Sequence, residues 1–320
     1  PTPAPVLTLP PATAPPITVL PPPPTPTPWL AGDFNIAVAE IAAADGNPLV
    51  NAKGAELAQL LHEALQGAFA QAEPTSYRIA ANLPPQAVGV IDGAESFEQE
   101  ENAARRARAI NADLLIYGNL DAQPYQTTLD LYVYLAPRQL ATAEEMAGVY
   151  PLLHITSSGD IDNNAVTSSE VRNQLLAQAN MAAQLVFGIG YFNRQQYAEA
   201  SAHLAAVQAD LDALGKKGLD DADALAAPLA LFRGTAAAQQ GDLPLAHQYY
   251  QAAVDSDPNY ARAYIARGQI VFLQARQGCK AGQTDVTAIL NDALNDYSTA
   301  LDLPAGPPAA ISTKVNLHRG

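Results

Sequence analysis

The chain has 320 residues but only one cysteine, Cys279, and one tryptophan, Trp29. A single cysteine excludes an internal disulfide and a zinc site built from several thiolates, so stability has to come from packing. The hydrophobic fraction of 48% is enough for sizeable cores. We expect Cys279 to be a small apolar residue in a helical loop, with cross-linking of subunits or thiol reactivity as the alternative.

Basic residues are scarce as well. The chain has 17 Lys and Arg against 32 Asp and Glu, which gives a formal charge of -15 and a pI near 4.6. Nucleic acids and anionic membranes attract clustered positive charge, so neither is an expected partner. We identify no apolar run that approaches the roughly 18 residues needed to span a bilayer, so we expect no direct membrane span. The first residue is proline, and we expect an upstream leader or anchor and export to a bacterial cell surface or beyond it.

Motifs for catalysis are missing. The sequence contains no His-Glu-x-x-His pair, no Gly-x-Ser-x-Gly elbow, no phosphate-binding Gly-rich loop and no dinucleotide fingerprint. The sequence therefore predicts a protein that is not an enzyme and has no cofactor and no metal. The histidines are scattered, at positions 62, 154, 203, 247 and 318.

One segment has the alternating oxygen side chains with which calcium loops begin, at Asp160, Asp162 and Asn164. Its continuation does not fit, because Ala165 stands where the sharp turn needs glycine and Glu170 lies one place short of the closing ligand. An interdomain loop that turns through Asn and Asp is the favoured interpretation.

The first thirty residues, Pro1 to Leu30, contain no charged side chain and half of the chain's 26 prolines. Proline runs such as Pro21–Pro24 stiffen a chain into an extended form, in which thirty residues reach roughly 90 Å. Two apolar, β-prone tetrads, 6–9 and 17–20, interrupt the prolines and each predict a short strand that needs a host. The residues expected to make contacts are Val6, Leu7, Leu9, Ile17, Val19, Leu20 and Trp29.

Two hypotheses explain this arm. In the first, it adds as a strand to another subunit, with backbone pairing for affinity and alternate side chains for specificity. In the second, it is a stalk that carries O-linked sugars, because the chain has no Asn-x-Ser/Thr acceptor. The candidate acceptors are Thr2, Thr8, Thr13, Thr18, Thr25 and Thr27.

Residues 33–157 predict a compact α/β sandwich with helices on one side of a mixed sheet. Its expected strands are 34–39, 77–83, 88–91, 114–118 and 129–135. Its expected helices are 52–71 and 94–112. The order of these elements, with FNIAVAEI at 34–41 and AARRARAINADLLIYGNLD at 103–121, resembles the small α/β module of bacterial envelope proteins such as TolB and CsgG. That resemblance implies a protein-binding or assembly unit.

The second half is repetitive. Ala200, Leu204 and Val207 recur with the same spacing of four and three residues as Ala246, Tyr250, Ala253 and as Ala293, Tyr297, Ala300. A helix marked by Gly188, Gly234 or Gly268 precedes each triplet. These residues resemble the tetratricopeptide repeat, a helical hairpin of 34 residues in which small side chains let two helices touch. The expected repeats are 181–215, 227–260 and 261–305, with a fourth starting at 313.

Tetratricopeptide arrays bind extended peptides along the face of their first helices, and the resemblance implies an apolar groove there. The groove residues would be Leu185, Ile189, Phe192, Leu231, Ile265 and Phe272.

The sequence thus predicts an α+β chain with an arm at 1–32, an α/β domain at 33–157, a linker or connecting helix at 158–180 and helical repeats at 181–320. We expect a non-enzymatic exported structural protein that assembles head to tail into filaments through its arm, with itself as partner. The alternative is a membrane-tethered adaptor that binds a different protein and uses the arm as a spacer.

Overall fold

The computed structural model describes residues 29–71, 79–80, 83–93, 96–137, 146–215, 223–281 and 286–304. It is a mixed α+β protein in which a small sheet is followed by stacked helices. The strands are β1 Phe34–Val38, β2 Ala42–Ala43, β3 Ile79–Ala80, β4 Leu114–Gln123, β5 Gln126–Leu135 and β6 Gly148–Ser158. The helices are α1 Pro48–Gln71, α2 Pro85–Val88, α3 Ser96–Ile110, α4 Ala165–Asn193, α5 Tyr197–Gly215, α6 Asp223–Gln239, α7 Leu243–Ser256, α8 Ala261–Lys280 and α9 Thr287–Asp302.

The sheet has the order β3-β1-β4-β5-β6, with β2 also paired to β4. Strand β1 is parallel to both of its neighbours, whereas β4, β5 and β6 pair antiparallel. All five residues of β1 are buried, and its two faces belong to different cores. Ile36 packs towards α1 and α4, while Ala37 packs towards α3. The prediction of helices on one side only is therefore wrong, and the continuous apolar run of β1 is what burial on both faces requires.

Strand β6 was not among the expected strands. Pro151 interrupts it, and proline cannot donate a ladder hydrogen bond. It lies at the end of the sheet, where proline is tolerated. The pairing with β5 also shifts register between Leu131 and Tyr132, so that a bulge sits beside the proline.

The expected strand at 88–91 is also wrong. Residues 85–88 form the short helix α2, which begins after Pro84 and ends at Gly89 with φ of 78°. Proline fixes the backbone for a first helical turn, and glycine ends it without a steric penalty. Val90 forms a single parallel bridge to Glu40, which lies outside the named strands. Of the strand expected at 77–83, residues 79–80 form β3, and 77–78 and 81–82 lie outside the described residues.

The helices after the sheet pack in sequence, each on the next, as the hairpins α4–α5, α6–α7 and α8–α9. Helix α4 runs without a break through position 180, so the expected connecting helix and the first repeat helix are one. Helix α1 packs on α4 and precedes it in the stack, with the Phe69 and Phe187 rings 5.4 Å apart. The sheet and the first hairpins therefore share one hydrophobic core, which extends from Phe34 to Ala236.

Glycines mark the closest contact inside each hairpin. A Cβ atom built on Gly234 would lie 2.5 Å from the Tyr250 ring, and one on Gly268 would lie 2.9 Å from Tyr297. On Gly188 it would lie 2.8 Å from Leu204. The same position of each first helix therefore meets the same position of each second helix. This regularity explains why the repeat could be found in the sequence.

We expect Gly234→Ala to destabilise the fold by about 1–3 kcal/mol, because the new methyl group overlaps the buried Tyr250 ring. Gly67→Ala is the matched control, since a Cβ on Gly67 in helix α1 meets nothing within 4 Å. That change should stabilise by roughly 0.5–1 kcal/mol, through the better helix propensity of alanine. Urea unfolding of both variants measures the difference, and equal stability of the two would contradict the close contact.

Candidate interaction surfaces

The apolar groove expected on the first helices is not open. Leu185, Ile189, Phe192, Leu231 and Ile265 are each no more than 4% exposed and belong to hydrophobic cores. Of the expected groove residues, only Phe272 has a substantially exposed side chain, at 38%. Helical periodicity correctly identified side chains that are buried, but it does not tell what buries them.

The groove residues of α4 share a core with the chain's own sheet, whereas Leu231 and Ile265 pack against neighbouring helices. Tyr150 of β6 packs edge-on against Phe232 of α6, with ring centroids 4.9 Å apart. Arg262 of α8 stacks over the same Tyr150 ring at 5.0 Å and reaches the backbone of Gly148. Helix α4 packs on β6 as well, so all three first helices contact the α/β part. An extended peptide has no access along this face while the two parts are packed together.

Arginines join successive hairpins. The Nη2 of Arg233 donates to the Tyr249 hydroxyl of its own hairpin at 2.8 Å, and its Nη1 donates to Gln208 of the preceding one at 3.4 Å. Arg267 repeats the arrangement one hairpin later, with Asp296 and Gln251 as partners. The hydrogen bonds to Asp296 raise the pKa of Arg267, and both side chains are largely buried. These arginines are therefore structural connections between hairpins.

The N-terminal arm leaves the folded body at a defined place. The Leu30 amide donates to the Ile110 carbonyl at 2.9 Å, and the Asn111 side chain donates to the Leu30 carbonyl at 2.8 Å. Leu30 is buried in the core under α3, whereas Trp29 is 62% exposed. Trp29 is the only expected arm contact within the described residues. The other arm residues and all six threonines lie outside them.

The segment at 160–164 is a turn and a helix cap. Asp160 accepts hydrogen bonds from the Asp162 amide at 2.9 Å and from the Asn163 side chain at 2.7 Å. Asn164 caps α4 by accepting from the amides of residues 166 and 167. Glu170, the candidate closing ligand, instead accepts from the Ser157 hydroxyl at 2.6 Å. The interdomain-loop interpretation accounts for these contacts. In the described part of the chain, no group of three His, Cys, Asp or Glu side chains could hold a metal ion.

Three polar side chains form a chain across β5 and β6. His154 Nδ1 lies 2.5 Å from Asp130 Oδ1, and His154 Nε2 lies 3.0 Å from the Thr156 hydroxyl. The connectivity is that of a nucleophile, base and acid. However, the His154 and Asp130 side chains are 40% and 35% exposed, and Thr156 is exposed on the sheet surface. Catalytic groups work in preorganised sites from which water is excluded. We therefore interpret these three hydrogen-bonded side chains as a cross-strand pairing.

Helix α4 has the length and composition of a membrane span. Arg172 and Arg194 enclose a stretch without charged side chains that sequence analysis missed, and the most apolar window of α4 has a mean hydropathy of 1.2. A core helix meets the same criteria, and 72% of this window is buried inside the fold. Its position between α1, β6 and α5 explains the apolar composition.

Comparison with protein-family models and with curated proteins found no match to this chain.

The contact that sequence analysis missed is the one between β6 and the first helices. Tyr150, Leu152 and Leu153 are buried in the shared core, although Pro151 lies among them. The apolar run at 149–153 was the available signal for this strand. An edge strand that contains one proline is consistent with this apolar run.

The Arg267–Asp296 pair generates a stability prediction. Arg267→Met would leave the Asp296 carboxylate, which is 7% exposed, without its cation, and we expect a loss of about 3 kcal/mol. The additional change Asp296→Leu should recover most of that loss, because no buried charge remains. The exposed Lys53–Glu56 pair, at 3.2 Å, is the control, and Lys53→Met should cost less than about 0.5 kcal/mol. Chemical unfolding of the unmodified protein and the three variants measures these differences in stability. A double variant as unstable as Arg267→Met would contradict the prediction.

His62 of α1 generates a pH prediction. It is 4% exposed and its Nδ1 has no hydrogen-bond partner among the described residues. Burial lowers the pKa of His62 below its ordinary value of 6.5, with the charge of Glu63 opposing this effect. The unfolded chain therefore takes up a proton as the pH falls through 6.5 while the folded chain does not, so stability falls below that pH.

The slope should be at most about 1.4 kcal/mol per pH unit for one proton. His62→Leu should flatten this acid dependence, as measured by urea unfolding between pH 7.5 and pH 5. Burial also lowers the pKa of His203, so His203→Gln in the same background should remove a further part. An unchanged pH dependence in the double variant would show that neither ring is held neutral by the fold.

Proposed function

We propose that this chain is a non-enzymatic structural protein that assembles head to tail, with the N-terminal arm of one subunit docked on the body of the next. The observation that carries the proposal is the contrast at Leu30. On one side of it lies a folded body within a chain of charge -15, and on the other a leader without any charged side chain. An uncharged, apolar leader gains more from burial against protein than from exposure to water.

The fixed exit point supports this role. Leu30 is tied to the end of α3, so the point at which the arm joins the body is fixed. A stiff proline-rich leader on such a base keeps a defined geometry between subunits. Contacts of this head-to-tail kind form filaments when the rotation between subunits does not close a ring.

We further propose that the helical half consists of tetratricopeptide-type hairpins. The recurring glycine contacts at Gly188, Gly234 and Gly268 support this assignment, as do the arginines before the second and third glycines. In contrast to arrays with an open groove, the groove residues are here buried against the sheet or against neighbouring helices. The hairpins would therefore serve as a rigid body, and docking of the arm requires another surface.

The composition supports export to the cell surface or beyond it, and a stalk with O-linked sugars on the arm threonines is the alternative to docking. The acidic charge, the low lysine content and the Thr/Pro-rich arm are the features on which this part of the proposal rests. The adaptor alternative uses the same arm as a spacer from a membrane anchor.

Assembly of the full chain compared with a chain that begins at Trp29 tests the proposal. We expect the full chain to form concentration-dependent oligomers or filaments in light scattering and electron microscopy, and the shortened chain to remain monomeric with the same circular dichroism. Protection of the arm from proteolysis should rise with concentration, because docking buries it. A full chain that stays monomeric, with rapid trimming up to Trp29, would support the tether and contradict assembly.

A further inference from the structure

We propose that the arm docks as an added strand on the outer edge of β6 of a neighbouring subunit, through its tetrad Ile17–Leu20. This inference rests on the proposed head-to-tail assembly and names the surface that receives the arm. The receiving surface, called here the β6 groove, consists of Pro151–Ser157 of β6 and Leu225 at the start of α6. Four observations support this surface: the pairing of the strands, the shape of the pocket, its polarity and the length of the arm.

Strand pairing leaves one side of β6 available. It ends the sheet order, and β5 is its strand partner within the described residues. Both ends of the strand are engaged, since the Ser158 carbonyl accepts from the Thr167 hydroxyl at 2.8 Å and Arg262 lies against Gly148. The stretch between them has the length of a short strand. An exposed strand edge is the kind of surface to which extended peptides add.

A pocket opens at the bulge in this stretch. It has a volume of about 320 Å³ and lies between Leu152, Leu153, Tyr132 and Leu225. That volume is roughly ten times the ~30 Å³ that a water molecule takes up in liquid, so it accommodates side chains. In an added strand, alternate residues point to the same face, so Ile17 and Val19 would enter together.

The polarity of the groove suits an uncharged occupant. Its polar rim consists of Asp130 and His154, which already bond to each other at 2.5 Å, while Thr156 bonds to the other ring nitrogen. An apolar side chain placed beside them leaves these hydrogen bonds in place. Two bodies of strongly acidic composition repel one another, and a leader without charge approaches without that penalty.

The arm is long enough to reach a β6 groove. Trp29 lies nine positions after Leu20, with Pro21–Pro24 between them, and nine residues span roughly 28 Å in the polyproline form. The exit point lies where β1 and β4 begin, three strands away from β6, which is about 14 Å across the sheet. The groove also starts about four residues, or about 13 Å, further along the strands. The tetrad can therefore reach this surface, and the proposed head-to-tail assembly assigns it to a neighbouring subunit.

Cysteine cross-linking of the full chain tests this inference in a Cys279→Ser background, which has no other cysteine. One preparation carries Val19→Cys in the arm and the other carries Thr156→Cys at the groove. We expect the mixture to form an interchain disulfide under mild oxidation, because side chains on paired strands lie about 5 Å apart. Glu63→Cys, at an exposed position on α1, replaces Thr156→Cys in the control mixture and should give only background.

The outcomes separate the two proposals. Assembly in light scattering without a bond to Thr156→Cys above the Glu63→Cys background overturns the β6 groove and leaves head-to-tail assembly standing. Absence of assembly overturns both. In the chain that carries both cysteines, an intrachain bond whose yield does not depend on concentration would show docking within one subunit, and it overturns docking between subunits.

A second pair of variants tests the choice of tetrad without risk to the folded body. Ile17→Asp should lower the yield of the cross-link between Val19→Cys and Thr156→Cys by about tenfold or more, because an unpaired carboxylate would enter the groove. Val6→Asp adds the same charge further along the same arm and should change that yield by less than about twofold. Equal effects of the two variants would overturn the assignment to Ile17–Leu20.

Discussion

The packing of the first helices on the sheet is the contact on which the rest of the molecule depends. Tyr150 and Phe232 bury their rings against each other, and each buried side chain of this size contributes about 1.5–3 kcal/mol. Since α4 runs from the loop after β6 into the first hairpin, the contact is continuous with the helical stack. The sheet, helix α1, the first hairpin and part of α6 consequently share one core, and the later hairpins add smaller cores of their own.

Repetition made the helical half predictable from the sequence. Each glycine and its partner aromatic or leucine satisfy a contact inside one hairpin, so the spacing of Gly234 and Tyr250 contains the information needed. The accessibility of the inner face depends on contacts with other elements, such as that between Phe232 and Tyr150, which lie 82 positions apart in the sequence. No local pattern in a helix says whether its apolar side meets solvent, a peptide or a sheet, and the expected groove failed for that reason.

In the sheet, too, local sequence predicts that a strand is buried but not which elements bury it. The continuous burial of β1 was visible as an apolar run, but the sequence does not say that α3 covers one face and α1 the other. Strand β6 was hidden by Pro151, a residue that is unfavourable in a central strand and acceptable at an edge. Whether a strand lies at the edge depends on the order of all strands in the sheet. The local sequence around Pro151 does not contain that information.

Because the inner face of the helices is buried, the arm in the proposed assembly needs a different binding surface. An array with an open groove offers many apolar positions along its length, and an apolar leader would then bind at several registers. Here those positions are buried against the sheet or against neighbouring helices, so the proposed docking of the arm relies on strand pairing instead. Pro151 and the bulge beside it shorten the available edge, which disfavours indiscriminate pairing between sheets and admits a short segment. A leader whose apolar tetrads are separated by prolines has the segment length that such an edge selects.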